Sequence, residues 1–505
     1  MKHPSLHALK IAALGCVAAL PLISTAVAES KTPVAPATAD RPNIVLIYGD
    51  DLGAGLLGAY GQKIIKTPNI DRLAAEGMIF NNAHGCVYCA PARASLVTGL
   101  HDSHRNAWSI TKAGLIVAKD EGKMTGAEVQ KQLAKAIQAK PNEVFLGQVA
   151  QKAGYTTAQF GKLDWGFTTT HDRLVRHGWD YYFGFLDHAR AHGFYPTYLW
   201  KNGEKVMLPG NTHHNAGKTR EGSYASKKAT EMRRDKTGKV HYSQNVLIKD
   251  ILQYLDDHKD QRFFLYHPTQ IPHGPVDVPE VHPDFVNDDR LTDVQKEYAS
   301  MVKLLDDHVG LIMARLKKLG LDDKTMVLFT SDNGHELYYE HDKYRARHRS
   351  HHGEIDVFKG SMDLAGVKWT NWQGGIRVPL IVRWPGKVKA GSKTDRLTAA
   401  YDYMTTFAEV MGTEAPKGKD GSSFYPTLLG KEQPKRGPVV VHQAVISDGW
   451  KLVRDAEQKD KEVYLLFNLN KDPGERHDLA AKHPEKFQQL MTIYQREVNS
   501  PRKDF

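Results

Sequence analysis

The sequence predicts an α/β fold with a large mixed, mostly parallel sheet flanked by helices, followed by a small C-terminal α+β subdomain with an antiparallel sheet. From Pro42 onward, short apolar runs alternate with longer helical patterns, as in chains whose strands are joined by crossover helices. A Gly-, Pro- and Lys-rich stretch at 431–437 then precedes a second, shorter set of strand-like runs. These observations place the main domain at 42–430 and the subdomain at 437–505.

Four apolar runs of the main domain are predicted to be buried strands, and polar residues follow each of them. Ligands bind beyond the carboxyl ends of the strands in open α/β sheets, so we expect these four ends to converge on one site. The runs span 43–48, 155–160, 262–267 and 325–329, and the polar residues that follow them include Asp50, Asp51, Lys162, His273, Asp332 and Asn333.

A helix is predicted over 125–139, because Thr125 and Glu128 form a capping box and apolar residues recur every four positions from Val129. The polar, basic stretch 211–239 has no such periodicity and is predicted to be a loop. In the C-terminal subdomain, strands are expected at 438–442, 451–453 and 463–467, and a helix at 484–498.

The N-terminus has the pattern of a secretory signal. Basic residues precede an apolar run at 11–23, and Ala-Val-Ala ends at Ala28. We therefore expect a signal peptide at 1–28, a flexible lead-in at 29–41, and export to the periplasm or out of the cell; a lipoprotein attached at Cys16 is the weaker alternative. No later segment has the eighteen or so apolar residues that a membrane span needs, so no span is expected.

Charge and cysteine content narrow the class further. The formal net charge of +10 suits an anionic substrate or an acidic polymer, although solvated surface lysines explain it equally well, and no nucleic-acid partner is expected. Of three cysteines, Cys16 lies in the predicted signal, so the mature chain keeps Cys86 and Cys89 and has no disulfide framework. A redox Cys-x-x-C motif is one interpretation of this pair.

The segment from Cys89 to Gly99 carries the strongest motif. It begins Cys89-Ala-Pro-Ala-Arg93 and ends with Thr98-Gly99. A Cys-x-Pro-x-Arg match arises by chance in roughly one such chain in a hundred. Pro91 suits the first turn of a helix, which puts Cys89 at a helix N-terminus, where free N–H groups attract an anion. A buried, weakly reactive thiol is the alternative.

This motif resembles the hallmark of the formylglycine-dependent (type I) sulfatases, which belong to the alkaline-phosphatase-like superfamily. The resemblance extends over essentially the whole mature chain, in the family's order, and implies that 42–430 is a sulfatase catalytic domain with an alkaline-phosphatase-like fold. The further blocks are 41–47 with Asp50 and Asp51, then 67–73, 161–162, 272–273, 331–334, 364–368, 374–379, 472–475 and 478–480.

The resemblance implies a calcium ion held near Cys89. Its ligands would be hard oxygens from three carboxylates and one amide, which Ca²⁺ prefers; magnesium is the alternative. Taken alone, Asp50-Asp51 is as readily a turn with capping carboxylates, and the second polar pair after another strand favours a metal. The implied ligands are Asp50, Asp51, Asp332 and Asn333.

The resemblance also implies that a formylglycine-generating maturation enzyme converts Cys89 to formylglycine. The hydrated aldehyde would attack sulfur, and its second hydroxyl would later expel sulfate. Arg93 would anchor this diol, while Lys162 and Lys368 would neutralise the charge of the sulfate.

Proton transfers are implied for two more residues, and one residue departs from the family. Asp332 would take the proton of the attacking hydroxyl, and His273, with Lys368, would protonate the departing alcohol. The family's Gly-Lys-Trp-His-Leu-Gly reads Gly-Lys-Leu-Asp-Trp-Gly at 161–166, so Asp164 replaces a histidine that contacts the diol. This carboxylate either takes a proton from the second hydroxyl or is structural.

Three other features concern the surroundings of the site. Gln373 stands where a glutamate is common, which is expected to affect support more than chemistry. The segment 189–196 mixes aromatic and cationic residues that either hold a sugar or pack structurally. A basic loop at the pocket rim is favoured over a zinc site for the insertion 335–352, which contains His335, His341, His348, His351 and His352.

The implied function is hydrolysis of a sulfuric ester. A sulfated sugar or polysaccharide fragment, or else an aryl sulfate, is the expected substrate. The saccharide is favoured by the export signal, the basic charge and the aromatic-rich segment that is a candidate for the pocket rim. Two alternatives are a phosphate or phosphonate ester hydrolase on the same fold and an inactive carbohydrate-binding homologue. The sequence gives no indication of the oligomeric state.

Overall fold

The structure is a computed structural model and describes residues 35–105, 111–135, 142–212, 226–340, 355–458 and 461–500. The predicted signal peptide at 1–28 lies outside the described residues. Within the segment 29–41, predicted to be a flexible lead-in, the chain already contacts the fold at Ala35, whose carbonyl accepts a hydrogen bond from the Arg262 amide at 2.9 Å. Ala37 is buried.

Strands and helices alternate through most of the described chain. The strands are β1 Asn43–Gly49, β2 Met78–Phe80, β3 Ala83–His84, β4 Thr156–Gly161, β5 Tyr181–Gly184, β6 Tyr198–Lys201, β7 Glu204–Met207, β8 Phe263–Pro268, β9 Thr325–Ser331, β10 Leu380–Arg383, β11 Ser392–Thr394, β12 Thr398–Ala399, β13 Val439–Val441, β14 Ala444–Ser447, β15 Trp450–Arg454 and β16 Tyr464–Asn468.

The helices are α1 Pro68–Ala75, α2 Cys89–Thr98, α3 Leu115–Asp120, α4 Gly126–Lys135, α5 Leu146–Lys152, α6 His171–Arg176, α7 His188–Ala191, α8 Lys227–Arg234, α9 Ser243–Asp257, α10 Pro283–Val286, α11 Asp293–Lys318, α12 Gln373–Ile376, α13 Tyr403–Val410, α14 Tyr425–Leu428 and α15 Pro484–Asn499.

Ten strands form the main sheet, in the order β11-β2-β10-β9-β1-β8-β4-β5-β6-β7. The central strands β9, β1, β8, β4 and β5 are mutually parallel, while β10 and β6 run antiparallel to their inner neighbours. Gly49 lies opposite Ser331, and Tyr48 opposite Pro268, so these strands end at the same edge. The mixed, mostly parallel sheet is confirmed, and the four predicted strands are its four adjacent central members.

Helices cover both faces of the main sheet, and alternate side chains of each strand point to opposite faces, so both faces are buried. Val45 and Ile47 of β1 belong to a core cluster that includes residues of α9 and α11. Ile44 and Leu46 belong to a second cluster on the other face, with residues of α2, α5 and α13. Full burial stabilises each such side chain by about 1.5–3 kcal/mol, so the sheet edge that follows β1 is held from both sides.

The C-terminal segment forms a separate four-stranded antiparallel sheet, in the order β13-β14-β15-β16. One face packs on α15 through Leu490 and Tyr494. The other face contributes Val453 and Phe467 to a cluster with Trp372 of the main region. The expected strands and the final helix are present; β14 is an addition that the sequence reasoning did not include.

Two further predictions concern single elements. The capping box of α4 is present, with the Glu128 amide donating to Thr125 Oγ1 at 3.2 Å. The prediction of a loop over 211–239 is wrong for part of its length, because α8 occupies Lys227–Arg234. Ser226 caps this helix, and the buried Arg233 pairs with Glu297 of α11, so a tertiary ion pair stabilises a helix that has little apolar periodicity.

In the described part of the chain, no helix combines the length and the apolar character needed to cross a bilayer.

Candidate active site

The site is built where β1 and β9 end side by side. Asp50 and Asp51 follow β1, Asp332 and Asn333 follow β9, and all four are fully buried. The Asp51 amide donates to Asp332 Oδ1 at 3.0 Å, and Asn333 Nδ2 donates to Asp51 Oδ1 at 2.8 Å. The two polar pairs are therefore interlocked, as expected if parallel strand ends position one ligand site.

Cys89 is the first residue of α2, as Pro91 in the first turn predicts. Its sulfur lies within 4.8 Å of a carboxylate oxygen of Asp50 and of Asp332. The Tyr88 side chain, which precedes it, makes no capping hydrogen bond. The helix therefore presents its first N–H groups beside Cys89, a place that favours a bound anion.

The thiol of Cys89 is poorly suited to act unmodified. Burial raises its pKa to about 11, although Lys162 and Lys368 oppose this increase. A thiol that is protonated at neutral pH is a weak nucleophile. Cys86 and Cys89 are both free, and Cys86 Sγ lies 3.6 Å from Ser95 Oγ, so the structure contradicts a disulfide in a redox Cys-x-x-C motif.

Three cations surround the acidic cluster. Lys162, which follows β4, donates through Nζ to Asp50 Oδ2. Lys368 Nζ donates to Asp51 Oδ2 at 2.8 Å. Arg93, about one turn after the start of α2, bonds to Asp332 at the end of β9.

The Arg93 guanidinium donates to Asp332 Oδ2 at 3.0 Å and lies 3.6 Å from Asp50 Oδ2. Its Nε and its other terminal nitrogen are buried and have no hydrogen-bond partner among the described residues. Arg93 therefore joins the two strand ends and keeps donors for a further oxygen ligand.

The charges of the cluster set the pKa values of its carboxyl groups in opposite directions. Burial favours the neutral form of each. For Asp50, the positive charges of Lys162, Arg93 and Lys368 outweigh burial and lower the pKa. Lys368 and His273 do the same for Asp51. Burial and the neighbouring Asp50 raise the pKa of Asp332.

The donor set fits a hard divalent cation. Asp50 Oδ1 and Asn333 Oδ1 are buried and have no hydrogen-bond partner in the described structure, and such orphaned oxygens are costly unless a ligand satisfies them. Asp51 adopts a left-handed φ of 62°, which is uncommon outside glycine, and one carboxylate oxygen of Asp50 and one of Asp51 lie within 4.8 Å of each other. Carboxylate and amide oxygens are what Ca²⁺ binds.

His273 lies in the loop after β8, at the edge of the cluster. Its Nε2 is 3.6 Å from Asp51 Oδ2, and its Nδ1 bonds to the Gly274 carbonyl. The ring of His192 stacks on it, with centroids 4.6 Å apart. Burial, and then the charges of Lys368 and Lys162, lower the pKa of His273 well below its usual range. With Nδ1 donating to the Gly274 carbonyl, Nε2 carries a proton only in the imidazolium form, which the Asp51 carboxylate favours and from which a leaving group can be protonated.

Asp164 forms no hydrogen bond or ion pair with the acidic cluster in the described structure, and its buried Oδ1 has no hydrogen-bond partner there. Its Oδ2 accepts hydrogen bonds from His177 Nδ1 at 2.8 Å and from Trp179 Nε1 at 2.9 Å. These contacts hold together the loop after β4, α6 and the approach to β5. Of the two roles left open for Asp164, the contacts support the structural one.

A residue that the sequence reasoning did not select, His188, lies among the cations. It begins α7 and is fully buried, and neither ring nitrogen has a hydrogen-bond partner among the described residues. Burial, and then the charges of Lys162, His192, Arg93 and Lys368, lower its pKa well below the usual range. No local motif marks His188; only its position directly before the 189–196 segment pointed to this part of the chain.

The segment 189–196 and Gln373 differ in how close they lie to the acidic cluster. In 189–196, Arg190 pairs with Asp120 at 2.7 Å, which is structural, whereas His192 stacks on His273. Gln373 Oε1 lies 3.3 Å from His84 Nε2, away from the cluster's own contacts, in keeping with a supporting role.

The insertion 335–352 is described only at its start. His335 is not part of a rim loop, which corrects that interpretation: it is fully buried, and its Nε2 lies 2.8 Å from the Tyr339 hydroxyl. His341, His348, His351 and His352 lie outside the described residues.

Comparison with known proteins identifies sulfatases as relatives. The family model described as Sulfatase matches residues 42–413, and the one described as N-sulphoglucosamine sulphohydrolase, C-terminal, matches residues 367–504. The "N-acetylgalactosamine-6-O-sulfatase" of Bacteroides thetaiotaomicron is 26% identical, over 90% of this chain and 92% of the relative.

Two solved structures share the fold. One, from work on the metabolism of multiple glycosaminoglycans by Bacteroides thetaiotaomicron, has a TM-score of 0.68 and 23% identity and covers 91% of this chain and 99% of that chain. The phosphonate monoester hydrolase of Agrobacterium radiobacter has a TM-score of 0.56 and 20% identity and covers 90% and 96%. With a family match over most of its length, the chain belongs to the sulfatase family of sulfuric ester hydrolases.

Proposed function

We propose that this sulfatase removes sulfate from a sulfated saccharide, with formylglycine derived from Cys89 as the source of its nucleophile and a calcium ion in the acidic cluster. The observation that carries the proposal is the position of Cys89. It lies at the N-terminus of α2, beside carboxylates of two strand ends, and within the field of Lys162 and Lys368. An anionic group bound there would meet positive charge from three directions.

The cluster of Asp50, Asp51, Asp332 and Asn333 would hold the calcium ion. When bound, the ion would supply fixed positive charge close to the sulfate. The two carboxylates that follow β1 each accept from a lysine, Asp50 from Lys162 and Asp51 from Lys368, so both ammonium groups would lie close to the bound sulfate. Arg93, with unused donors, would orient the hydroxyls of the hydrated formylglycine.

Proton transfer would involve two histidines. The imidazolium form of His273, which the Asp51 carboxylate favours, would deliver its Nε2 proton to the departing alcohol, with Lys368 nearby on the same carboxylate. His188 would contact the second hydroxyl and accept its proton when sulfate is expelled. A neutral imidazole with two unsatisfied nitrogens supports this role, because burial without a partner is costly and a hydroxyl supplies the missing hydrogen bond.

Substrate class and location are proposed together. The N-terminal signal pattern, the net charge of +10 and the similarity to a relative named for N-acetylgalactosamine 6-O-sulfate support an exported enzyme acting on an anionic saccharide. The maturation enzyme that oxidises Cys89 would be its obligatory partner.

The fold also occurs in a phosphonate monoester hydrolase, so selectivity is the test. Matured protein is assayed with sulfate and phosphate monoesters that share one leaving group. We expect kcat/KM to favour the sulfate ester by at least about a hundredfold. A clear preference for the phosphate ester would overturn the proposal, and binding of sulfated glycans without any sulfate release would favour a carbohydrate-binding role.

A further inference from the structure

Two residues that flank the proposed chemistry form an aromatic pair. Tyr88 directly precedes Cys89, and Trp369 directly follows Lys368. Their rings stack, with centroids 4.3 Å apart and planes inclined by 22°. The Tyr88-Cys89 segment therefore contacts the Lys368-Trp369 segment. Cys89 and Lys368 are buried, whereas Tyr88 and Trp369 are more exposed to solvent.

Trp369 is exposed where an indole would ordinarily be covered. Half of its surface, 50%, is accessible, and it is the one aromatic residue among the exposed large apolar side chains of the described residues. An exposed aromatic surface at the edge of a polar site is typical of a ligand contact. Tyr88, beneath it, is partly buried and fixes the ring from behind.

The backbone of Trp369 is held in an unfavourable conformation. Its φ is 71°, in the left-handed region that favours glycine, and its amide donates to the Val87 carbonyl at 2.7 Å. A bulky residue in this region carries strain that glycine would not carry, and such strain concentrates at functional sites. The hydrogen bond joins the Lys368 loop to the segment that leads into α2, so the indole is placed relative to Cys89.

Charge and shape define what would lie on this surface. Lys368 Nζ is 5.6 Å from the centre of the Trp369 ring and also donates to Asp51, so the aromatic surface adjoins the place where sulfate would bind. A ligand that occupies both the sulfate position and the aromatic surface must carry an anionic sulfate and, next to it, a flat surface made largely of C–H groups. The ring of a sulfated pyranose has both features, with hydroxyl groups left at its edge for water.

Resting on the proposed function, we propose that Tyr88 and Trp369 form a binding platform for the pyranose ring that bears the sulfate or lies next to it. The platform acts in substrate binding and specificity; it takes no part in bond cleavage. It selects cyclic saccharide sulfates over acyclic sulfate esters.

The test uses Trp369→Gly, because glycine accepts the left-handed φ and the variant is therefore expected to fold. Trp369→Phe retains an aromatic ring, and Met207→Ala changes an exposed apolar residue of β7 as a matched control. Sulfate release is measured for matured protein with a panel of pyranose monosulfates, with 4-nitrophenyl sulfate and with glycerol 1-sulfate. Because inorganic sulfate has no saccharide ring, its inhibition constant reports on the sulfate-binding position alone.

We expect Trp369→Gly to raise KM for the pyranose sulfates about tenfold, with kcat within about threefold and the inhibition constant of inorganic sulfate unchanged. Trp369→Phe should stay within about threefold of the parent, and Met207→Ala should match it. The platform would be overturned if Trp369→Gly left KM unchanged or weakened inhibition by inorganic sulfate as much as it raised KM. It would also be overturned if the parent released sulfate only from 4-nitrophenyl sulfate or glycerol 1-sulfate. Absence of sulfate release from every ester would instead contradict the proposed function.

Discussion

At the scale of single residues, the contacts of Asp164 and His188 decide which of them can take a proton during turnover. Asp164 Oδ2 accepts hydrogen bonds from His177 and Trp179, which hold the loop after β4, while its Oδ1 is buried and has no hydrogen-bond partner among the described residues. His188 has no such commitment within the described residues, and its neighbours are the cations that would hold sulfate. In the proposed mechanism these contacts favour the imidazole as the proton acceptor and a structural role for Asp164.

Substitution at these two positions should give opposite results. His188→Ala should lower kcat about a hundredfold with little change in Tm, because a general base is lost from a site that it does not hold together. Asp164→Asn should lower the free energy of unfolding by about 1–3 kcal/mol, because a charged acceptor is lost, while kcat stays within about threefold. Steady-state kinetics and thermal unfolding of both variants provide the measurement.

His188→Gln is the control, since an amide restores a hydrogen bond but not a base. It should recover part of the affinity for substrate and little of kcat. A large loss of kcat in Asp164→Asn together with a normal His188→Ala enzyme would reverse the assignment.

At the scale of elements, α15 is attached to the catalytic region by more than its apolar face. Glu497 of α15 accepts from His101 Nε2 at 3.4 Å, and Asp420 accepts from His104 Nε2 at 2.7 Å. The rings of His101 and His104 stack, with centroids 3.7 Å apart. Hydrogen bonds from His101 and Arg496 lower the pKa of Glu497 to about 2, although burial opposes them.

This attachment should weaken in acid. The folded pKa of Glu497 is below its ordinary value of 4.5, so its stabilising effect is complete above pH 4.5 and is lost as the pH falls towards 2. Glu497→Gln should therefore lower the free energy of unfolding by about 1 kcal/mol at pH 7, and the difference from the parent should shrink below pH 4.5. Denaturant unfolding of both proteins between pH 7 and pH 3 measures it. A difference that is constant over this range would contradict the role of Glu497.

Elements were predictable where their signal is local. The central strands are continuous apolar runs, and the α4 capping box and the Pro91 turn are short sequence patterns. The helix α8 was missed because its stability comes from the buried pair of Arg233 with Glu297, which are far apart in sequence. The roles of Asp164 and His188 were equally inaccessible, since they depend on which partner each side chain meets after folding.

At the scale of the whole molecule, the ten-stranded sheet brings distant segments to one edge. Residues of the proposed site come from the ends of β1, β4, β8 and β9, from α2 and from the Lys368 loop. The convergence of the strand ends on one edge could be foreseen, because ligands bind beyond the carboxyl ends of the strands in open α/β sheets. The aromatic surface formed by Tyr88 and Trp369 could not, because it depends on a loop conformation that the sequence does not reveal.

The most direct test of the account is the chemical state of Cys89 in enzyme matured by its own host. Peptide mass spectrometry across α2 is combined with sulfate release from the same preparations and from Cys89→Ala. We expect an aldehyde in place of the thiol, activity proportional to the aldehyde fraction, and at least about a thousandfold loss in Cys89→Ala, since the nucleophile is removed. An unmodified thiol in fully active enzyme would contradict the central claim.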